Sequence, residues 1–246
     1  MLSKRCELYG ESVFSSFRAY GGHVAGLDLH LERLRYAVSE YYLFRDLALS
    51  DFEAYFHAKD KIQELLCTAP DNYYRVTIYA GSSELSLQKE KFGLSELDIE
   101  IKCNKPSQEV QSLKLNTRDF HFKYLDTKIK AGSYFQNLQL KRQALNKGFS
   151  DSLLLDNGLI CELSTSNVVV EKNGCFFAPK NENVFAGITL KLFEIFCKKN
   201  QVPFEFVSLP ISEISEEDKV YALNSVQGVI CIDKINELEL VSQKSD

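Results

Sequence analysis

The stretch from residue 128 to residue 170 constrains this chain more than any other. It reads KIKAGSYFQNLQLKRQALNKGFSDSLLLDNGLICELSTSNVVV, and it places Lys130 just before small residues that open a predicted helix over 133–146. An Asn-Gly pair then predicts a type I′ turn between two strands, and the second strand carries Glu162 among apolar and hydroxyl-bearing residues. The stretch therefore predicts one amine and one carboxylate, each held on a rigid element.

Hydrophobic patterning along the whole chain predicts a mixed α/β protein. Alternating apolar residues indicate strands, whereas apolar residues at helical spacing indicate helices, for which Asp28 and the capping box from Ser50 to Glu53 are predicted starts. The predicted strands span 12–20, 73–81, 97–103, 112–117, 152–156, 159–163, 204–209 and 220–225. The predicted helices span about 29–43, 50–66, 133–146 and the residues that follow Gly187. The polar segment 84–96 predicts no element.

A polar segment that contains Pro106 predicts the domain organisation. Residues 105–112 are the expected inter-domain linker, because prolines and polar residues are typical of such boundaries. A smaller N-terminal α/β domain would then span 1–104, and a larger C-terminal domain over 113–246 would carry most of the functional site.

Composition argues against several classes of partner. Hydrophobic residues make up 45% of the chain and charged residues 26%, as in ordinary soluble globular proteins. The net charge is −5 with no basic run, which argues against nucleic acid as a partner. No apolar stretch has the length of a membrane span or the form of a signal sequence, so no membrane partner is expected. Seven scattered cysteines without a C-x-x-C pair, and four dispersed histidines, indicate a reduced, cytoplasmic protein without a structural metal.

Three further positions are candidates for binding a phosphate group. A helix that begins at Gly187-Ile188-Thr189 would offer unpaired backbone N–H groups, a favourable dipole and the threonine hydroxyl. Arg33 offers a guanidinium, which can bind phosphate through two hydrogen bonds, and Ser225 offers a hydroxyl. Each position also has a plain structural interpretation: an ordinary helix start, a solvated helix arginine and a turn at a strand end.

A lysine and a carboxylate held on rigid elements are what an enzyme needs to use pyridoxal phosphate (PLP). The amine forms a Schiff base with the cofactor, and the acid keeps the pyridine nitrogen protonated so that the ring can act as an electron sink. Lys130 and Glu162 are the candidates for these two positions.

Five short elements, taken together, resemble one family. H-x-x-R-L follows a strand hairpin, K-x-x-[NS]-Y opens a helix, G-x-[LI]-x-E precedes S-x-S-N, and G-I-T begins a helix. In this chain they run from His30 to Leu34, from Lys130 to Tyr134, from Gly158 to Glu162, from Ser164 to Asn167 and from Gly187 to Thr189. In this order they are similar to the class IV aminotransferases, the fold type IV group of PLP enzymes that includes branched-chain aminotransferase, D-amino-acid transaminase and aminodeoxychorismate lyase. The resemblance extends from about residue 10 to about residue 235.

The resemblance implies a fold, a cofactor and a role for each matching residue. It implies the two-domain architecture of fold type IV enzymes, like that of D-amino-acid aminotransferase, with PLP as cofactor, a small-molecule amine as substrate and a homodimer as assembly. Lys130, rather than its neighbour Lys128, looks like the Schiff-base lysine and proton shuttle, and Glu162 looks like the partner of the pyridine nitrogen. The phosphate would be bound by Arg33, Ile188, Thr189 and Ser225. Tyr134 would either reach the cofactor hydroxyl or pack as a core aromatic. Phe14, Thr165 and Ser166 would either contact the substrate or serve only in packing.

The choice of reaction depends on where the chain departs from the family pattern. An N-terminal segment that is common in the family is reduced here to Tyr9-Gly10-Glu11-Ser12. The family's F-E-T-x-R pattern is replaced by the segment from Phe14 to Arg18. After G-I-T, where arginine is frequent in the family, this chain has Leu190. The short chain and the tail LNSVQGVICIDKI resemble lyases that release pyruvate from 4-amino-4-deoxychorismate and leave 4-aminobenzoate for folate synthesis. An aminotransferase acting on branched-chain or D-amino acids is the first alternative, and a non-catalytic homologue is the second.

Overall fold

A computed structural model describes residues 4–42, 47–81, 92–106, 110–119 and 126–241. The end of the predicted helix 29–43, part of the segment 84–96 and part of the predicted linker 105–112 lie outside the described residues. The chain divides into two compact units, one formed by residues 1–107 with 128–134 and the other by residues 108–127 with 135–246. Both contain helices and sheets, so the predicted α/β class is confirmed.

The first unit is built on a four-stranded antiparallel sheet. Its elements are α1 (Lys4–Tyr9), β1 (Ser12–Tyr20), β2 (His23–Val24), α2 (Leu27–Tyr41), α3 (Leu49–Phe56), α4 (Ala58–Thr68), β3 (Tyr73–Ala80) and β4 (Leu97–Asn104). The strand order is β2-β1-β3-β4, and one short 3₁₀ turn at Leu94–Glu96 precedes β4. Strands predicted over 12–20, 73–81 and 97–103 are thereby confirmed.

The side chains of β1 alternate between the hydrophobic core of the first unit and the opposite face of the sheet. Val13 and Phe17 lie in the hydrophobic core with Leu31 and Leu34 of α2. Because successive strand residues point to opposite faces, Phe14 projects from the other face of the sheet. Burial of a side chain as large as Phe17 contributes about 1.5–3 kcal/mol to the free energy of folding. This contribution disfavours any arrangement in which Phe17 would point away from the core.

Two predicted helix starts are wrong, and one predicted helix is broken. Helix α2 begins at Leu27 with Gly26 as its N-cap in the left-handed region, so Asp28 lies inside the first turn. Helix α3 begins at Leu49, which places Ser50 within the helix rather than at a capping box. The single helix predicted over 50–66 is interrupted at His57, whose φ of 49° ends α3 and starts α4. The Glu53 side chain accepts the backbone N–H of Lys59 at 3.1 Å, and this contact satisfies a donor at the break.

The second unit is built on a nine-stranded sheet with two long helices. Its elements are β5 (Ser112–Asp119), α5 (Phe135–Asn146), β6 (Asp151–Asp156), β7 (Leu159–Leu163), β8 (Asn167–Lys172), β9 (Cys175–Pro179), α6 (Ile188–Lys199), β10 (Phe204–Val207), β11 (Lys219–Asn224), β12 (Gly228–Ile235) and β13 (Leu238–Glu239). The strand order is β10-β9-β8-β11-β12-β5-β6-β7, and β13 pairs with β12. Pairs β10/β9, β12/β5 and β5/β6 are parallel, and the remaining pairs are antiparallel.

Local turn chemistry fixes the register of the hairpins that carry the acid. Asn157 and Gly158 have φ values of 50° and 78°, and Asn173 and Gly174 have values of 51° and 77°. Two consecutive positive φ angles are the requirement of a type I′ turn, and Asn-Gly pairs meet it at low cost. The predicted turn before Glu162 is therefore confirmed, and with it the placement of Glu162 on β7.

Candidate active site

The backbone around Lys130 forms a short extra strand beside β1. The N–H of Phe14 donates to the Lys130 carbonyl at 2.8 Å, and the N–H of Gly132 donates to the Ser12 carbonyl at 2.7 Å. Val13 and Ala131 face each other in an antiparallel bridge. In this register Lys130 lies opposite Phe14 and its side chain projects from the same sheet face, away from the core.

Close packing explains the glycine that follows Lys130 in the motif. A Cβ on Gly132 would lie 2.0 Å from the Ser12 hydroxyl oxygen and 2.9 Å from the Gly10 carbonyl oxygen. These distances are shorter than any real contact of such a carbon, so only glycine lets the backbone approach β1 this closely. The small residues after the lysine thus hold the lysine-bearing segment against the sheet.

Two aromatic rings lie near the Lys130 amine. Its Nζ is 5.2 Å from the ring centroid of Phe14 and 5.4 Å from that of Tyr134, and the two rings meet edge to face at 5.5 Å. The guanidinium of Arg75, on β3, lies 3.6 Å from the Phe14 ring centroid. Lys128, by contrast, is exposed and lies 5.3 Å from the ring of Tyr36.

Helix α2 contributes a buried histidine and a partly buried arginine, one turn apart. His30 is 1% exposed, and its Nδ1 lies 2.7 Å from the Ser15 hydroxyl oxygen. Burial, followed by the positive charges of Arg33 and Lys130, lowers the pKa of His30 to about 3, so its imidazole is neutral at physiological pH. Burial also lowers the pKa of Arg33 to about 10. Phe14, His30, Arg33, Lys130 and Tyr134 are here called the lysine cluster.

In the second unit, Glu162 is a buried and oriented carboxylate. It is 4% exposed, and its Oε2 accepts the backbone N–H of Phe185 at 3.0 Å and the side-chain amide of Asn167 at 3.3 Å. Burial, together with the carboxylates of Asp156 and Glu162, raises the pKa of Cys161 to about 12, so the neighbouring thiol stays protonated. Glu162 is therefore a buried carboxylate held in one position by hydrogen bonds.

Asn167 connects this carboxylate to the start of α6. Its side-chain amide also donates to the Phe185 carbonyl at 2.8 Å. A Cβ on Gly187 would lie 1.7 Å from Asn167 Oδ1, so the N-cap of α6 must be glycine for Asn167 to keep this position. This one contact explains why asparagine ends the S-x-S-N element, at Asn167, and why glycine begins G-I-T, at Gly187.

The first turn of α6 and the turn between β11 and β12 bring two hydroxyls together. Thr189 Oγ1 lies 2.9 Å from Ser225 Oγ. Ile188 and Thr189 are the first residues of the helix, where backbone N–H groups lack intrahelical acceptors and the dipole favours an anion. These groups are the donor set that a phosphate requires.

Asn224 organises the turn that contains Ser225. Its Oδ1 accepts the backbone N–H groups of Val226 and Gln227 at 2.9 and 2.8 Å, and its Nδ2 donates to the Ser166 hydroxyl at 2.9 Å. Glu162, Asn167, Thr189, Asn224 and Ser225 are here called the glutamate cluster. Thr165 is partly exposed in the bend between β7 and β8, next to buried Ser166.

The first unit thus brings together Phe14, Lys130 and Tyr134, with Arg33 close enough for its charge to act on His30. The second unit brings together Glu162, Ile188, Thr189, Ser225 and Ser166. Sequence reasoning missed the bonding roles of His30, Asn167 and Asn224. The motifs already contained signals for the first two, since both are fixed letters of matching elements. Asn224 likewise belongs to the tail that resembles the lyases, whereas Arg75 had no comparable signal, because its contact with Phe14 joins residues distant in sequence.

Comparison with known proteins identifies the family. A model of the family described as amino-transferase class IV matches residues 12–235. The chain belongs to this family. Aminodeoxychorismate lyase of Bacillus subtilis (strain 168) is 25% identical over 249 residues, which cover 97% of this chain and 82% of that protein. D-alanine aminotransferase of Bacillus licheniformis is 25% identical over 238 residues, which cover 93% of this chain and 80% of that protein.

Structural comparison gives the same family of folds. The crystal structure of an aminotransferase from Brucella abortus bound to PLP matches this chain with a TM-score of 0.79 at 24% identity, over 98% of this chain and 87% of that chain. The predicted fold type IV architecture is confirmed. Members of the family are PLP-dependent aminotransferases and lyases, so the predicted enzyme class and cofactor are confirmed at the level of the family.

The two clusters have the chemistry that PLP requires. The lysine cluster supplies an amine and a guanidinium, and it includes a buried imidazole nitrogen, Nε2 of His30, with no hydrogen-bond partner among the described residues. The glutamate cluster supplies an oriented buried carboxylate and a hydroxyl pair at a helix N-terminus. Amine, acid and anion-binding donors therefore fit the aldehyde, the ring nitrogen and the phosphate of PLP.

Proposed function

We propose that this class IV aminotransferase homologue is a PLP-dependent lyase that converts 4-amino-4-deoxychorismate into 4-aminobenzoate and pyruvate, a step of folate synthesis. The observation that carries the proposal is the turn built by Asn224. Asn224 and the following Ser225 belong to the N-S-V-Q-G sequence that resembles the lyases. The Asn224 side chain accepts two backbone N–H groups within the turn and donates to the Ser166 hydroxyl. The match to the B. subtilis lyase along 97% of the chain supports the same choice.

We assign the central roles to Lys130 and Glu162, acting on one PLP. PLP, when bound, supplies a conjugated ring that withdraws electrons from the substrate amine carbon. The Lys130 amine would hold the cofactor and remove the proton from that carbon, the C–O bond at the neighbouring ring carbon would break, and the proton would be returned to the methylene carbon of the departing pyruvate, which leaves an aromatic ring. The Glu162 carboxylate, already fixed by Phe185 and Asn167, holds a proton on the ring nitrogen.

Phosphate binding is assigned to Arg33 and to the start of α6. Arg33 offers a planar charged donor, and the backbone N–H groups of Ile188 and Thr189 offer neutral ones. The hydroxyls of Thr189 and Ser225 add two donors at the same helix terminus. Tyr134 is assigned to the cofactor hydroxyl.

Substrate recognition is assigned to Phe14, Thr165 and Ser166. Phe14 presents an aromatic face near the Lys130 amine, and an aromatic ring can stack on the planar product 4-aminobenzoate. Thr165 and Ser166 offer hydroxyls for the carboxylates of the substrate.

The decisive experiment is release of pyruvate by the purified protein. The protein is incubated with 4-amino-4-deoxychorismate, and pyruvate and 4-aminobenzoate are measured in equal amounts over time. Equimolar release, lost in Lys130→Ala, is expected. Borohydride treatment should attach the cofactor to Lys130, which mass spectrometry of the tryptic peptide detects. Cofactor attachment without any pyruvate release would reject the lyase assignment and keep the PLP assignment.

A class IV aminotransferase acting on D-amino or branched-chain amino acids is the second candidate. It is favoured by the 25% identity to D-alanine aminotransferase over 93% of the chain. The same preparation, given D-alanine, L-leucine or L-valine with 2-oxoglutarate, would transfer the amino group to form glutamate. Glutamate formation without release of pyruvate from 4-amino-4-deoxychorismate would establish this candidate instead. A non-catalytic homologue would show neither activity, and it would bind no cofactor at Lys130.

Assembly and location remain predictions. A homodimer is expected, and light scattering of the eluting protein would give its mass. Within the described ranges, no helix combines the length and the apolar character needed to cross a bilayer.

A further inference from the structure

His30 is a buried polar side chain with one nitrogen satisfied and one not. Its ring packs against Phe17 with centroids 4.9 Å apart, and only 1% of the residue is exposed. Nδ1 faces the Ser15 hydroxyl at 2.7 Å. Nε2, on the other side of the ring, has no hydrogen-bond partner in the described part of the chain. Buried polar groups in folded proteins are rarely left in this condition without a reason.

The Ser15 contact bears on which nitrogen of His30 carries the proton. Ser15 is itself 1% exposed, and its hydroxyl oxygen lies within hydrogen-bond distance of Nδ1. A hydroxyl can donate or accept, and we assign the donor role to Ser15, which makes Nδ1 the acceptor. A neutral imidazole that accepts at Nδ1 carries its hydrogen on Nε2. The unsatisfied atom is therefore a donor, and the group missing beside it is an acceptor.

The charges around His30 indicate the kind of acceptor. Arg33 follows one helical turn later on α2, and both Arg33 and Lys130 are close enough for their charges to act on the imidazole. The positive potential of two cations disfavours a proton on both ring nitrogens and favours an anion in front of the Nε2–H group. An anionic oxygen is thus a better partner here than a neutral carbonyl.

We propose that His30, as a neutral donor held in one tautomer by Ser15, donates its Nε2–H to a phosphate oxygen of the cofactor beside Arg33. This inference rests on the proposed PLP site and adds a ligand to it that the family resemblance did not assign. A neutral donor next to Arg33 would bind the oxyanion without adding a second buried charge. Ser15 would be a positioning residue, because it acts only through His30.

Nuclear magnetic resonance of the four histidines tests the tautomer and the contact directly. The full chain is labelled with ¹⁵N-histidine and studied with and without PLP, and His30 is assigned by its absence from His30→Asn. We expect a proton on Nε2 and none on Nδ1 at neutral pH, and a change in the Nε2 resonance when PLP or inorganic phosphate is added. Exposed His23 and His57 are the internal controls and should not change. A proton on Nδ1, or an Nε2 resonance that phosphate leaves unmoved, overturns the proposal in favour of a buried water or a structural role.

Binding measurements with matched variants provide a second test. His30→Leu removes the donor, His30→Gln keeps an amide donor, and Ser15→Ala frees the ring to carry its proton on either nitrogen. Affinity for inorganic phosphate and for PLP should fall roughly tenfold or more in His30→Leu, because a hydrogen bond to a charged group is lost. It should fall less in Ser15→Ala and His30→Gln. Affinity for pyridoxal, which has no phosphate, should stay unchanged in all three, and so should every affinity in the control variant His23→Asn.

The outcomes separate this inference from the proposed function. If the wild-type chain binds PLP at Lys130 but His30→Leu binds phosphate and PLP as the wild type does, the His30 inference is wrong and the PLP assignment stands. If pyridoxal affinity falls together with phosphate affinity, His30 supports the site generally and the proposed phosphate contact is wrong. If His30→Leu does not fold, Ser15→Ala and the tautomer measurement on the wild-type chain still decide. A wild-type chain that binds no PLP would reject the proposed function itself.

Discussion

Glu162 Oε2 accepts the backbone N–H of Phe185 at 3.0 Å. Glu162 lies on β7, whereas Phe185 lies two residues before the N-cap of α6. The hydrogen bond therefore ties the buried acid to the loop that begins α6. An acid and a helix terminus fixed to each other suit the proposed binding of a flat cofactor with a ring nitrogen at one end and a phosphate at the other.

The first prediction concerns the charge of Glu162. Glu162→Gln keeps an oxygen that can accept the Phe185 N–H but removes the negative charge that would hold a proton on the ring nitrogen. Hydrogen bonds to charged groups contribute about 1.5–3 kcal/mol, which corresponds to a loss of roughly ten- to hundredfold in kcat. Steady-state kinetics of pyruvate release and thermal unfolding of the same preparation would measure both effects, and unfolding should change little.

The control for this change is Glu171→Gln, the same substitution on β8. Glu171 accepts the Tyr221 hydroxyl at 2.8 Å and the Lys219 amine at 3.1 Å, outside both clusters. Its kcat should match that of the wild type. Equal losses of kcat in the two variants would show that the effect of Glu162→Gln is a general loss of packing rather than a loss of charge at the cofactor.

The second prediction concerns Gly187. In Gly187→Ala the new Cβ would lie 1.7 Å from Asn167 Oδ1, so Asn167 or the start of α6 must move. Overpacking of this kind costs about 1–3 kcal/mol, and the midpoint of urea unfolding should fall accordingly. Gly93→Ala is the matched control, because its Cβ would have no neighbour closer than 3.5 Å. If Gly187→Ala unfolds at the wild-type urea concentration, the close contact does not exist in solution.

The third prediction is a dependence of stability on pH that originates at His30. Its pKa is about 3 in the folded chain against an ordinary value of 6.5, because burial and two cations oppose protonation. Between these values the unfolded chain binds one more proton than the folded chain, so stability falls as the pH falls from 6.5 toward 3. The contribution of this one group is about 1.4 kcal/mol for each pH unit in that window.

The measurement for the third prediction is the difference in unfolding free energy between the wild type and His30→Asn from about pH 8, above the window, down to about pH 4, inside it. The variant cannot titrate at this position, so its stability should fall less steeply below pH 6.5 than that of the wild type. Parallel curves for the wild type and His30→Asn would contradict a buried neutral imidazole.

The fourth prediction concerns the turn at Asn224. Asn224→Asp keeps the acceptor for the N–H groups of Val226 and Gln227, but it adds a negative charge next to Ser225 and loses the donation to Ser166. Affinity for inorganic phosphate should fall roughly tenfold, because like charges repel where an anion would bind. Isothermal titration would measure this change.

Asn224→Ala separates the charge from the turn itself. It removes the acceptor for two backbone N–H groups without adding a charge, so it should lower the unfolding free energy by about 1–3 kcal/mol. Its phosphate affinity should fall less than that of Asn224→Asp. If the alanine variant loses more phosphate affinity than the aspartate variant, the turn geometry rather than the added charge controls anion binding.

Local sequence determined the elements and several of their ends. The alternation of β1 put Phe17 in the core and Phe14 on the opposite face, since side chains alternate along any strand. The Asn-Gly pairs at the two hairpins adopt the positive φ angles that the predicted turns need. The matching motifs also singled out Lys130 and Glu162 as candidate site residues, because each motif is a run of neighbouring residues.

Only the tertiary structure decided how those groups are held. Lys130 pairs through its backbone with Phe14, which is far away in sequence, and the Lys130 segment therefore belongs to the first compact unit. Helix α2 begins at Leu27 after the left-handed Gly26, and the break at His57 is accompanied by a hydrogen bond from the Lys59 N–H to the Glu53 side chain, neither of which the local capping preferences predicted. The contact between His30 Nδ1 and the Ser15 hydroxyl likewise joins two separate elements, α2 and β1. A hydrogen bond between residues distant in sequence exists only after both elements have packed, so patterns within a short window cannot specify it.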